Sequence, residues 1–138
     1  VPGAQGFCLN EPEDSRELFA ACLQGTAFVE RLGYEVLDKV ASTSGGEVFS
    51  TGGGSASRIW MQCRADVTGR VLHRPACAQS AFGSAVLAAT GAHFGDLKAA
   101  VQNMVSMEKT YYPTAALRNR YDDLYHTFLE EISRRGYL

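Results

Sequence analysis

Hydrophobic positions first recur at helical spacing between Asp14 and Ser42, where Leu18, Cys22, Val29, Leu32, Val36, Leu37 and Val40 share one stripe. The spacing predicts a long amphipathic helix with Asp14 or Ser15 as cap and Glu17 adding negative charge to its first turn. Ahead of it, "VPGAQGFCLNEP" reads as loop because of its prolines and glycines, with a short extended piece around Gly6 to Leu9. "STSGG" breaks the pattern, and "EVFST" predicts a short strand running into Gly52, Gly53 and Gly54. A second helix follows, capped by Ser55 or Ser57, with Ile59, Trp60, Cys63 and Val67 as its apolar face and Gly69 as its stop. "RVLHR" predicts another strand, ended by Pro75, and Gln79 to Thr90 a third helix terminated by Gly91.

Asp96 is placed to cap a short helix, "DLKAAVQNMV", after which "SMEKTYYP" reads as irregular. Pro113 or Thr114 opens a last helix with Leu117, Tyr121, Leu124, Tyr125, Phe128 and Ile132 as its stripe and Arg118, Asp122, Glu130, Arg134 and Arg135 exposed. Such an aromatic stripe is read as core or as a docking contact. Strands alternating with helices at this spacing predict an α/β fold with a partly parallel sheet and a helix-rich C-terminal end. The third helix is rich in small residues, and its interior Gly83 costs about 1 kcal/mol against alanine. Tight packing against a sheet is the plainer reason for it, and a bound ligand or a moving domain interface is compatible with the same pattern.

Composition narrows the picture. With 138 residues, 46% of them hydrophobic, the chain is one domain's worth of polypeptide. The net charge of −2, with both signs interspersed, excludes the basic patch of a nucleic-acid binder. No run of about 18 apolar residues points to a membrane. Cys8, Cys22, Cys63 and Cys77 are unevenly spaced without a CxxC pair, so reduced thiols in a cytosolic protein are expected, with neither a disulfide framework nor a metal site. His73, His93 and His126 are far apart and read as surface or packing residues.

Three consecutive glycines after a strand require an explanation, because they cost backbone entropy. The stretch is not a GxxxxGK[ST] loop, since no lysine follows Gly54, and not a GxGxxG fingerprint, since Ser57 stands at the third glycine position. Strand, glycines, serine and helix start still form a place where backbone N–H groups and a positive dipole end face one spot. A nucleotide or anion would use it, and a plain tight turn accounts for it almost as well.

"STGGGSASRIWMQCRADVTGRVLHRP" followed by "AQSAFGSAVLAATG" resembles the C-terminal domain of the FGGY family of carbohydrate kinases. The family pattern there is a strand, GGGS, one variable residue, S or N, a helix carrying W-x-Q-x-x-AD, a strand ending R-P, and a helix rich in alanine and glycine. "ELFAACLQGTAFVERLGYEVL" resembles the preceding helix of that domain, and "YYP" with the following tyrosine-rich segment its closing helix. The resemblance extends over nearly the whole chain. It implies part of an actin-like ATPase (ribonuclease H-like) domain in a two-domain kinase, with ATP and sugar between the domains. By position, it implies that Gly52, Gly53 and Gly54 let adenine lie against bare backbone and that Ser57 hydrogen-bonds the nucleotide. Ser55 is a weaker nucleotide candidate or the helix cap, and Gln62 and Asp66 are expected to position the helix.

Two departures stand out: Gln79 replaces the glutamate that usually opens the last motif helix, and the loop between Pro75 and Gly83 is one residue shorter than in many relatives. The family's first phosphate loop, catalytic aspartate and sugar-binding residues all precede this region. The 138 residues are thus expected to be the C-terminal part of the second, nucleotide-binding domain, with no catalytic residue of their own. Expected partners are ATP, with Mg²⁺ held mainly elsewhere, and a small sugar or polyol such as a ketopentose; a homodimer is admitted, and the expected location is cytoplasmic. The other function class left open is a non-catalytic nucleotide-binding or structural module using the same turn.

Overall fold

The computed structural model describes residues 2–42 and 45–138. Thr43 and Ser44, in the expected break after the first helix, and Val1 in the leading loop lie outside the described residues. The elements are α1 (Ser15–Ala41), β1 (Val48–Phe49), α2 (Arg58–Thr68), β2 (Leu72–Pro75), α3 (Ser80–Ala89), α4 (Leu97–Met104), β3 (Met107–Tyr111) and α5 (Arg118–Arg134). The sheet order is β1-β2-β3. β1 and β2 are parallel with Val48 opposite Leu72, and α2 is the crossover that a parallel pair requires. β3 is antiparallel to β2, with Leu72 opposite Tyr111.

The strand β3 lies where an irregular segment was expected. Its first three residues are exposed, so "MEKTY" lacks the alternation that marks a half-buried strand. Pairing with β2 makes it a strand, a non-local cause invisible in the local pattern. The leading loop forms no helix or strand among its described residues, as expected, and Phe7 and Leu9 in it pack on the core, with Phe7 stacked on Phe128 at a centroid distance of 6.1 Å.

α2 is the central element. Val67, with half-buried Trp60 and Cys63, faces a core built from Ala27 and Phe28 of α1 and Tyr125, Phe128 and Ile132 of α5. Met61 and Ala65, on its other side, pack with Leu72 and Tyr111 of the sheet. A helix between two layers needs two apolar faces, and the spacing of Ile59, Trp60, Cys63 and Val67 marks only one of them. Ile59, expected in the apolar face, is 76% exposed.

The stripe of α1 is also corrected. Leu18, Val29, Val36, Leu37 and Val40 are all exposed, and Cys22 with them; only Leu32 of the expected set packs on the core. The buried residues are Ala27, Phe28 and Arg31. Arg31 can lie inside because its Nη1 reaches the Val67 carbonyl and the Asp122 carboxylate, while its guanidinium covers the Tyr125 ring at 4.1 Å.

Helix ends largely follow local chemistry. Asp14 caps α1, accepting from Arg16 N–H at 2.8 Å and Glu17 N–H at 2.9 Å. Asp96 caps α4 through Ala99 N–H at 2.8 Å. Gly69 ends α2 in the left-handed region with φ 69°. Gly91 does not end α3: the chain continues through a π turn over Thr90–Phe94, and Gly95, φ 77°, is the stop. Nor is Gly83 held by tight packing, since no atom beyond its chain neighbours and its own helix backbone lies within 4 Å of where its Cβ would stand. α3 packs on the π turn and α4, and only its Val86 is buried. Among the described residues, no helix is long and apolar enough to cross a membrane.

Candidate functional site

The glycine segment is pinned from both sides. Ser50 N–H donates to His73 O at 2.8 Å, which carries the β1–β2 pairing one residue past the strand, and Gly52 N–H donates to Ala78 O at 2.8 Å just ahead of α3. Gly52 has φ 83° and ψ 179°, a conformation essentially confined to glycine. Its carbonyl accepts from Ser55 N–H at 3.2 Å and from Ser55 Oγ–H at 2.7 Å, closing a 3₁₀ turn over Gly53–Ala56.

Ser57 then caps α2, its Oγ accepting from Trp60 N–H at 3.3 Å. The remaining N–H groups of the first turn have no intrahelical partner, and they gather with the positive end of the helix dipole. The expected site residues therefore separate by environment. Gly52 is required by its backbone angle. Gly53 has nothing within 4 Å of a Cβ, so its bare face is open. Gly54 is backed by the Trp60 ring, 3.5 Å from where a Cβ would stand. Ser55, 2% exposed, is turned inward to hold the loop and is not the cap.

A cavity of about 930 Å³ opens at this end of α2. Ser57 and Arg58 line it together with Leu23 of α1, Gln62, Lys109 and Tyr121. Of the five expected site residues, Ser57 alone contributes to its wall; the glycines stand beside it. Lys109 escaped the sequence reading because its strand did. On the floor, Asp66 is 6% exposed, and its Oδ1 accepts from Gln62 Nε2 at 2.9 Å and from Thr114 N–H at 2.7 Å. Gln62 Nε2 also donates to Tyr112 O at 2.9 Å. Both side chains thus join α2 to the segment leading into α5, in keeping with the positioning role expected of them.

Cys63 also borders the cavity. Burial, followed by the charge of Asp66, pushes its thiol up to about 11, so it is a protonated wall residue and not a nucleophile. Cys8, Cys22, Cys63 and Cys77 all stand as free thiols. Among the described residues, no group of three or more His, Cys, Asp or Glu side chains converges to hold a metal. The arrangement can offer backbone donors, a hydroxyl and an uncluttered glycine face to a polar planar ligand.

Residues 2–92 match the sequence profile of the FGGY family of carbohydrate kinases, C-terminal domain. The chain is 27% identical over 139 residues to a glycerol kinase of Shewanella woodyi, an alignment covering 96% of this chain and 27% of that protein. An autoinducer-2 kinase of Klebsiella pneumoniae is 27% identical over 109 residues, 78% of this chain and 20% of that one. The chain therefore spans about a quarter of the length of these relatives or less. In structure it is similar to the xylulose kinase of Rhodospirillum rubrum, with a TM-score of 0.79 and 29% identity over 96% of this chain and 28% of that one. The fold is accordingly the α/β arrangement of an actin-like ATPase domain, helix-rich at its C-terminal end, as the resemblance implied. On this profile match, the chain belongs to the FGGY family of carbohydrate kinases and carries its C-terminal domain.

Proposed function

We propose that this chain forms the nucleotide end of the active site of an ATP-dependent carbohydrate kinase. In this reading residues 1–138 are the C-terminal part of the second domain, and the sugar-binding and catalytic domain belongs to a longer polypeptide. The carrying observation is the loop itself: a strand end and a helix N-terminus joined through glycines, with the face of Gly53 open and Ser57 on the wall of a cavity. Gly52 sets the turn, Gly53 and Gly54 admit an adenine against bare backbone, and Ser57 Oγ hydrogen-bonds the nucleotide. Ser55 serves the loop from within.

Phosphoryl transfer consists mostly of positioning and charge stabilisation. When bound, Mg²⁺-ATP supplies the phosphoryl group and the charge that stabilises its transfer. This chain's contribution is to hold and orient the nucleotide's far end, with the metal held mainly by residues outside it. The acceptor is a hydroxyl of a sugar or polyol, a ketopentose-like substrate being favoured, and the compartment is the cytoplasm.

A second reading has one observation in its favour. The loop's own hydrogen bonds, Gly52 to Ala78 and Ser55 to Gly52, account for a tight turn without any ligand. Titrating the complete protein that carries this chain with ATP by calorimetry separates the two. On the nucleotide reading, Gly53→Val raises the dissociation constant tenfold or more, about 1.4 kcal/mol. Ser57→Ala costs about 1 kcal/mol for one hydrogen bond. Unchanged ATP affinity in folded Gly53→Val refutes the assignment and leaves the structural module.

A further inference from the structure

Arg64 occupies a junction that the glycine pattern does not mark. Its side chain is 12% exposed, and it faces α1, where Nε donates to Glu30 Oε2 at 2.7 Å and Nη2 to Glu30 Oε1 at 2.6 Å. This is a bidentate, charge-assisted pair. The third nitrogen, Nη1, donates to Ser50 Oγ at 2.5 Å. Ser50 is buried and stands two residues before Gly52, at the point where β1 pairing ends. On its other side, the guanidinium carbon lies 5.7 Å from the centroid of the Trp60 ring, the ring that backs Gly54. One side chain thus reaches the residue entering the loop and the ring behind its exit.

Glu30 is fixed in turn by Tyr34, whose hydroxyl donates to Oε1 at 3.0 Å. The guanidinium fork suits this task because it offers rigid, divergent donors; a lysine ammonium would reach one partner at the expense of another. We propose that Arg64 is a positioning residue for the glycine loop: anchored on α1 by Glu30, it holds Ser50 and so sets the direction in which the chain enters Gly52–Gly54. This rests on the nucleotide reading of that loop. Its consequence is that the loop is preorganised for the ligand from α1, an element that contributes none of the five residues assigned to the nucleotide.

Arg64→Ala would leave the partly buried Glu30 without its cationic partner and risks unfolding the chain. Ser50→Ala is the informative change, since it removes the third bond of Arg64 and leaves its pair with Glu30 intact. Arg64→Lys keeps the charge and loses the fork. Hydrogen exchange resolved by residue reads the loop directly through the amides of Gly52 and Ser55, which donate to Ala78 O and Gly52 O. In both variants these amides exchange at least about fivefold faster, while those of Phe128 and Ile132 in the core keep their rates. ATP titration followed on Trp60, the one tryptophan of the chain, gives a dissociation constant raised roughly three- to tenfold.

Unchanged exchange at Gly52 and Ser55 in both variants overturns the proposal. So does faster exchange spread over the whole chain in proportion to a lower melting temperature, because that is the mark of a merely structural pair. The two readings fail separately. An ATP affinity insensitive to Gly53→Val removes the nucleotide reading and the proposal resting on it, whereas an ATP-sensitive Gly53→Val beside a silent Ser50→Ala removes the role of Arg64 alone.

Discussion

Three adjacent glycines stand in three different environments, and substitution separates the first two. Gly52, at φ 83° and ψ 179°, sits where a side chain is strained whatever the space around it. Gly52→Ala should destabilise the fold by about 1–3 kcal/mol, read as a lower urea midpoint at constant slope. Gly53 has neither a left-handed φ nor a neighbour within 4 Å, so Gly53→Ala should leave the midpoint within about 0.5 kcal/mol of the parent. A comparable loss at both positions would mean that the turn alone explains the triplet. The sequence announced that a sharp turn or a close approach was needed at this triplet; it could not say which residue served which need, because both requirements select glycine.

Among the elements, α1 and α5 are joined by a linked set of charged and polar side chains. Arg31 Nη1 lies 2.7 Å from Asp122 Oδ1, Arg118 Nε donates to Asp122 Oδ2 at 3.0 Å, and the Tyr125 hydroxyl donates to Glu35 at 2.9 Å. Burial pushes the Asp122 carboxyl up, but the Arg31 and Arg118 guanidinium groups outweigh it and hold the group below its ordinary 3.8. With the folded value depressed, the carboxylate's stabilisation is fully present above about pH 4 and is lost as pH falls through the folded value. Asp122→Asn should cost about 1–3 kcal/mol at pH 7, and its deficit against the parent should shrink as denaturation is repeated below pH 4. A deficit independent of pH would assign the loss to packing. The sequence reading left Asp122 on the exposed side of α5; its partner Arg31 lies on another helix, 91 positions away by number, and nothing local signals that pairing.

For the whole molecule, the family assignment and the proposed division of labour lead to a negative result that can be measured. Three acids of the chain illustrate other work: Asp66 receives Gln62 and Thr114, Asp96 caps α4, and Glu47 lies 3.4 Å from His73. A general base must come within hydrogen-bond reach of the attacking hydroxyl. The 138-residue chain, incubated with Mg²⁺-ATP and a panel of ketoses and polyols, should therefore leave ADP at background. Sugar-stimulated ADP release abolished by Gly53→Val would show that the catalytic group is here after all. What the sequence determined by itself was whatever short-range chemistry enforces: the cap at Asp96, the pairs Asp14 or Ser15 and Ser55 or Ser57 from which the structure drew the other two caps, the stop at Gly69, the strand–glycine–helix order, and through its motifs the family. Tertiary structure decided the rest. Burial is a property of neighbours, so the regular stripe of α1 could point outward while Arg31 went in, and α2 could acquire a second buried face. β3 became a strand only by pairing with β2, and the loop acquired its anchor only when Glu30, Ser50 and Arg64 were brought together across three elements.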